Sequence, residues 1–205
     1  DAYVWMKTGD LHAMEQIREL GKLQFVEVCD PNWWHQPDFV RQMIDNMTAL
    51  VAATEPAKED LLHLYGEKRC YVIPDRLKMD HFKRQREHQP VNPVRFIWYG
   101  VGVNRIALMG AIPVLERLAA NGVSFELTIM DNNPETLFNV TDKFPVYNIK
   151  WTLDNENEII SAHDIALLPP YPGPWGKLKS NNKKLTAWAN GLPVTDGYDY
   201  YDLVD

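Results

Sequence analysis

The chain has 205 residues, 45% hydrophobic and 24% charged, a composition that excludes intrinsic disorder and fits one large or two small folded domains. Its 21 Lys and Arg against 28 Asp and Glu give a net charge of -7, which argues against nucleic acid as a partner and against a surface built for acidic lipid. Two cysteines, Cys29 and Cys70, make neither a metal spacing nor a disulfide framework and suggest reducing, cytoplasmic surroundings.

In chain order, Ala2–Met6 reads as a strand. Asp10 reads as the N-cap of a helix carrying Leu11, Met14, Ile17 and Leu20, with Gly21 at its end. Leu23–Cys29 is the next strand, and Asp38–Met47 has Phe39, Val40, Met43, Ile44 and Met47 at helical spacing. Thr48–Ala53 is a strand, after which Thr54 caps a helix over Ala57–Tyr65 that Gly66 closes. Cys70–Ile73 is a short strand. The charged stretch Lys78–Asn92 reads as a linker or, equally, as a solvated surface helix.

The alternation then restarts. Val94–Tyr99 is a strand, and Asn104–Ala120 is helical with Pro113 as its kink or start. Ser124–Met130 and Val146–Trp151 are strands, and Asp154 can cap a short helix running to Ser161. Asp164–Leu168 is a strand that enters the Pro- and Gly-rich loop Pro169–Gly176. Asn181–Asn190 is a helix ended by Gly191, and Leu192–Thr195 is the last strand. The run Asp196–Asp205 reads as surface leading into a further helix. The chain opens on Asp1 and stops in mid-pattern, as a piece of a longer protein or a trimmed domain would. No stretch approaches the ~20 apolar residues of a membrane-spanning helix, which leaves peripheral membrane contact open.

Strands alternating with helices imply parallel sheets joined by right-handed crossovers. The expected fold class is therefore α/β, with two Rossmann-like parallel-sheet units of which the first is incomplete. The boundaries this suggests are 1–78, a linker at 79–92, and 93–205.

In open parallel sheets, ligands bind beyond the carboxyl ends of the strands. The turn Gly100-Val101-Gly102-Val103-Asn104 lies there and opens a helix, so its backbone can approach a phosphate. Arg105 stands where a dinucleotide fingerprint requires a third glycine, and a G-x-G of this kind is more often just a tight turn. More specific is the loop from Pro169 to Lys184, a rigid Pro/Gly segment followed by Lys177, Lys179, Ser180, Asn181, Lys183 and Lys184 at a helix start. Lysines oppose the helix dipole at that position, and residues that break a local preference tend to mark function. No His, Cys or carboxylate grouping has metal-ligand spacing; His163 reads as a helix C-terminal partner. Trp33 and Trp34 follow a strand end, where they either pack or stack on a sugar.

The segment Lys183-Lys-Leu-Thr186-Ala-Trp-Ala189-Asn-Gly191-Leu-Pro193-Val194 resembles the K-x-x-E-x-x-A-x-G-x-P-V signature of the group-one class of GT-B glycosyltransferases. Asp164–Pro169, Ile73-Pro-Asp75 and Arg95–Gly100 resemble the strands and the interdomain segment that accompany it, over residues ~48–205. The resemblance implies transfer of a sugar from a nucleoside diphosphate sugar to an acceptor, whether sugar, lipid or protein. The donor is a substrate; no cofactor and no metal are implied. Lys183 matches the lysine that neutralises the departing diphosphate, with Lys179, Ser180 and Asn181 nearby. Gly100, Gly102 and Asn104 would face the phosphates or the acceptor, and Trp151 and Leu153 the base, although a strand-end Trp is more often core. The family's ribose-binding glutamate falls on Thr186 and its upstream acid on Leu178. Those departures support an alternative, a non-catalytic nucleotide-sugar binding module. A third reading is a flavodoxin-like signalling domain with Asp131 or Asp164 in an acidic pocket.

Overall fold

The computed structural model describes residues 1–82, 86–133, 139 and 141–195. The expected surface run and helix start at 196–205 lie outside these residues. The chain divides into two compact units. The first comprises residues 1–76 and 173–180, the second the described residues of 77–172 and 181–195.

The first unit is a four-stranded parallel sheet, β1 (Ala2–Met6), β2 (Leu23–Val28), β3 (Ala49–Ala52) and β4 (Cys70–Val72), in the order β1-β2-β3-β4. Helices α1 (Leu11–Glu19), α2 (Pro37–Asp45) and α3 (Glu55–Tyr65) connect successive strands. Two caps form as the sequence suggests: Asp10 Oδ1 accepts from Ala13 N at 3.1 Å, and Thr54 Oγ1 from Ala57 N at 3.2 Å. Each satisfies an amide that a helix start would otherwise leave unpaired. Gly21 and Gly66 have φ of +67° and +81°, the left-handed ending that glycine adopts without strain. Buried in this unit, Gln24 donates to Met14 O at 2.8 Å and Asn46 O at 3.1 Å and accepts from Trp5 Nε1 at 3.0 Å. One fully partnered amide thus joins β1, β2, the body of α1 and the C-cap of α2.

The second unit has five parallel strands: β5 (Val94–Gly100), β6 (Phe125–Asp131), β7 (Val146–Lys150), β8 (Ile165–Leu167) and β9 (Val194–Thr195). Their order is β7-β6-β5-β8-β9. Period-two alternation sorts β5 onto two faces. Phe96 and Trp98 pack with Leu108, Ile112 and Leu115 on one side, while Ile97 and Tyr99 pack with Ile160, Ala187 and Leu192 on the other. Helices therefore cover both faces, as a parallel sheet requires. They are α4 (Ile106–Met109) and α5 (Ile112–Ala120), then α6 (Glu156–Ser161) and α8 (Asn182–Ala189). The five-residue helix α7 (Pro174–Leu178) belongs to the first unit.

Three local expectations are corrected. The single helix over Asn104–Ala120 is instead a 3-10 turn (Gly102–Arg105), α4, and α5, with Pro113 in the first turn of α5 where its missing N–H costs nothing. Asp154 does not cap α6: Asn155 takes the cap position, and its side chain turns back to Thr152 N and Lys150 O. The expected loop over Pro169–Lys184 contains α7; its last residue, Leu178, is buried in the core of the first unit, and the Leu178 carbonyl accepts from Thr54 Oγ1 at 3.0 Å.

The boundaries also differ from those expected. The described residues of 77–92 group with the second unit rather than forming a linker. Arg86 N donates to Asn190 O at 2.8 Å, and its guanidinium pairs with Asp164 at 2.5 Å. Residues 173–180 join the first unit because Leu178 is part of its core.

His163 does serve the end of α6. Its Nδ1–H donates to Ile159 O at 2.7 Å, so Nε2 is left to accept from Thr128 Oγ1 at 2.8 Å. Burial pushes its pKa below the ordinary 6.5, against smaller opposing effects. The unfolded chain therefore binds the proton more readily, and stability is lost as pH falls below about 6.5. Urea titrations at pH 7.5 and 5.5 are expected to show that loss, and His163→Gln to flatten it. No helix among the described residues is long and apolar enough to cross a membrane.

Candidate functional site

In the second sheet the chain runs β5, β6, β7 in one direction and then returns to place β8 and β9 on the other side of β5. The strand order reverses at β5, and ligands bind at the carboxyl ends of the strands beside such a reversal. The turn after β5 is Gly100–Asn104, and α8 begins between β8 and β9.

Lys183, in the first turn of α8, reaches back over this turn. A Cβ added at Gly100 would lie 2.5 Å from Lys183 Nζ and 3.1 Å from its Cε, so glycine is required for the ammonium to occupy that place. The Nζ also sits 5.2 Å from the centroid of the Trp98 ring, within range of a cation–π attraction. Beneath it, Tyr99 donates to the Lys183 carbonyl at 2.5 Å. Tyr99 is 3% exposed, and burial pushes its phenol far above the usual range, so it remains a neutral donor. The backbone of Lys183 is thereby tied to β5 and its side chain directed over the Gly100 turn.

The opposite flank is built from β6. Asn132 Oδ1 accepts from Gly102 N at 3.0 Å, which orients that amide. Asp131, 2% exposed, pairs with Arg105, whose guanidinium also donates to Asn133 O at 2.8 Å. A neutralised Asp131 offers no acidic pocket. Asp164 lies at the other end of the sheet, before β8, gripped by Arg86 and Arg95. Neither carboxylate fits the signalling-domain reading.

The remaining expected residues divide. Trp151 follows β7, its N–H donating to Asp131 O at 2.7 Å and the residue 37% exposed; Leu153 beyond it is 61% exposed. Asn104 closes the glycine turn through its N–H to Val101 O at 2.8 Å. Asn181 is exposed at the N-cap of α8, where its side chain makes no capping bond. Thr186 is buried, its hydroxyl 3.5 Å from Asn182 Oδ1. Lys179 and Ser180 belong to the first unit, where Lys179 pairs with Asp30 at 3.6 Å and Ser180 donates to Asp75. Sequence reasoning did not single out Trp98, Tyr99 or Asn132. The first two read as core, whereas an Asn directly after a strand facing a glycine turn was a usable signal.

Two units of parallel sheet with helices on the faces, the second with its reversal at β5, make the fold of the GT-B glycosyltransferases. No protein-family model and no curated protein sequence matches the chain. Among solved structures, TarM matches with a TM-score of 0.63 at 10% identity, over 98% of this chain and 46% of that one. An S. aureus TarM variant, solved with fondaparinux, alpha-GlcNAc-glycerol and UDP, matches at 0.58 and 9% identity, over 89% and 42%. The GtfA/B complex matches at 0.57 and 16% identity, over 93% and 41%. At these identities the likeness is one of fold, and the chain spans less than half the length of each of these proteins.

Proposed function

We propose that the second unit binds the diphosphate of a nucleotide-sugar at the carboxyl edge of its sheet, and that the protein transfers the sugar to an acceptor. The observation that carries this reading is Lys183 Nζ held over Gly100 at the strand-order reversal. As the bond from the sugar to the β-phosphate oxygen breaks, the electron pair goes to that oxygen. A fixed ammonium and the amides of the first turn of α8 meet the developing charge without reorganising. Asn132 keeps the Gly102 N–H aimed into the turn until a phosphate oxygen takes the place of the side-chain amide. Trp151 offers a half-exposed ring for the base, flanked by Leu153. UDP, which the S. aureus TarM variant holds, is the first nucleotide to try.

Gly100→Ala tests the placement directly. The new methyl group must displace Lys183 Nζ, so UDP affinity is expected to fall by roughly 1 kcal/mol, part of the ~1.5–3 of a charged hydrogen bond. Calorimetric titration of both proteins reads the change, and an unaltered affinity would show that Lys183 does not hold the diphosphate.

One observation favours the second reading, a binding module without turnover. Leu178, where the resemblance places an acid, is a core residue of the first unit, and Thr186 is buried. Release of UDP from UDP-sugars separates the two: binding without any release, with or without a glycan acceptor, supports the module.

A further inference from the structure

An aromatic cluster lies at the carboxyl edge of the first sheet, wholly within the first unit. Trp33 and Trp34 both donate their indole N–H to one carboxylate oxygen of Asp60, at 2.6 and 2.7 Å. Their fates differ: Trp33 is 1% exposed in the core, while Trp34 is 38% exposed. A carboxylate that fixes an exposed indole removes rotameric freedom before any ligand arrives.

Beside Trp34 stands Trp175, from the short segment 173–180 that returns to this unit. The ring centroids are 6.0 Å apart, edge to face, and the exposed ring of His35 lies 4.8 Å from Trp175. The segment is rigidly held. Gly173 turns the chain at φ +79°, Pro174 begins α7, and Leu178 is locked in the core. Packing explains Leu178; it does not explain why the segment presents a second tryptophan beside an exposed one.

Polar groups adjoin the rings. Lys179 Nζ is 5.9 Å from the Trp175 centroid and 3.6 Å from Asp30 Oδ1, while Lys7 Nζ donates to Asp30 Oδ2 at 3.1 Å. Lys7 follows β1 with φ of +66°, in the left-handed region that a lysine seldom adopts; such strain clusters at ligand sites.

We propose that Trp34, His35 and Trp175 form a carbohydrate platform that seats a neutral pyranose unit of the acceptor, a proposal that rests on the glycosyl-transfer reading. A pyranose has an apolar C–H face and a rim of hydroxyls. The indoles take the face, Asp30 accepts from neighbouring hydroxyls, and the two ammonium groups donate to others. Lys7 and Lys179 are both drawn onto Asp30, which leaves a rim of mixed charge that suits hydroxyls rather than an anionic group.

The test is a titration of the full chain, carrying 15N-labelled tryptophan, with the neutral oligosaccharides chitotetraose and maltotetraose and with a sulfated pentasaccharide. The indole N–H signals of Trp34 and Trp175 are expected to shift saturably with a neutral sugar, while Trp33 and Trp98 stay in place. Trp175→Ala is expected to weaken that binding at least tenfold and Trp175→Phe less, both with unchanged UDP affinity. No saturable shift with either neutral sugar, binding of the sulfated sugar alone, or equal affinity in Trp175→Ala would each overturn the platform. UDP binding without sugar binding refutes the platform alone. Sugar binding without binding of UDP, GDP or ADP refutes the transfer reading and leaves a carbohydrate site.

Discussion

Replacing Lys183 by alanine is expected to weaken nucleoside diphosphate binding by about 1.5–3 kcal/mol, the scale of a hydrogen bond to a charged group. That is roughly a ten- to hundredfold rise in Kd. The loss in transfer rate is expected to be larger, on the order of 10²–10³-fold, because the ammonium faces charge that develops as the bond breaks. Lys183→Arg is expected to rescue only in part, because a broader planar fork replaces the compact ammonium that sits over Gly100. Folding should survive the alanine change, because the backbone of α8 is anchored by Tyr99 through the Lys183 carbonyl and not through the side chain. Equal melting temperatures for the two proteins, with unequal affinities, are the expected pair of readings.

The largest effect on stability is expected at the amino end of the same sheet. Asp164 Oδ2 accepts from Arg95 N and from Arg95 Nε, each at 2.9 Å, and its other oxygen from Arg95 at 3.1 Å and Arg86 at 2.5 Å. Burial opposes ionisation of this carboxyl, but the hydrogen bonds and charge of the two guanidiniums outweigh it and hold the pKa below the usual carboxylate range. Asp164→Asn leaves two cations facing a neutral amide, one of them with an unpaired buried Nε. Breaking a buried pair from one side costs about 3–5 kcal/mol. Arg95 is 31% exposed, which places the effect at the lower end, about 3 kcal/mol, or roughly 6–12 °C in Tm. Because the folded pKa is depressed, this stabilisation is full above the unfolded pKa near 4 and disappears as pH falls through the folded value. The wild type and Asp164→Asn should therefore converge in stability under acid, and a constant gap down to pH 2 would contradict the assignment.

Most strands and helices were legible because parallel α/β units write their period openly: apolar runs, a cap such as Asp10 or Thr54, and a glycine at the helix end. The strand order was not legible. Which side of β5 receives β8 depends on packing between Ile97, Ala166 and Ala187, residues far apart in the chain. The reversal beside which the proposed site lies is therefore invisible in the sequence, although the Gly100 turn itself is plain there. The run of lysines misled in an instructive way. Lys177, Lys179, Lys183 and Lys184 read as one basic loop, yet residues 173–180 belong to one unit and 181 onward to the other. Leu178 decides this by entering the first core, and a single leucine in a polar loop carries little signal. The break in the expected helix over Asn104–Ala120 was half-visible: Pro113 marked a start, while the turn at Gly110 and Ala111 follows from seating Leu108 and Ile112 against the same face of β5.

The most direct test of the donor site is a thermal-shift comparison of the wild type and Lys183→Ala with UDP, GDP, ADP and CMP. A ligand at 100 times its dissociation constant stabilises by about 2.7 kcal/mol, several degrees for a protein of this size. The account predicts such a shift for the wild type with one of the diphosphates and a much reduced one for the variant. No shift with any nucleotide, or the same shift in both proteins, would contradict it.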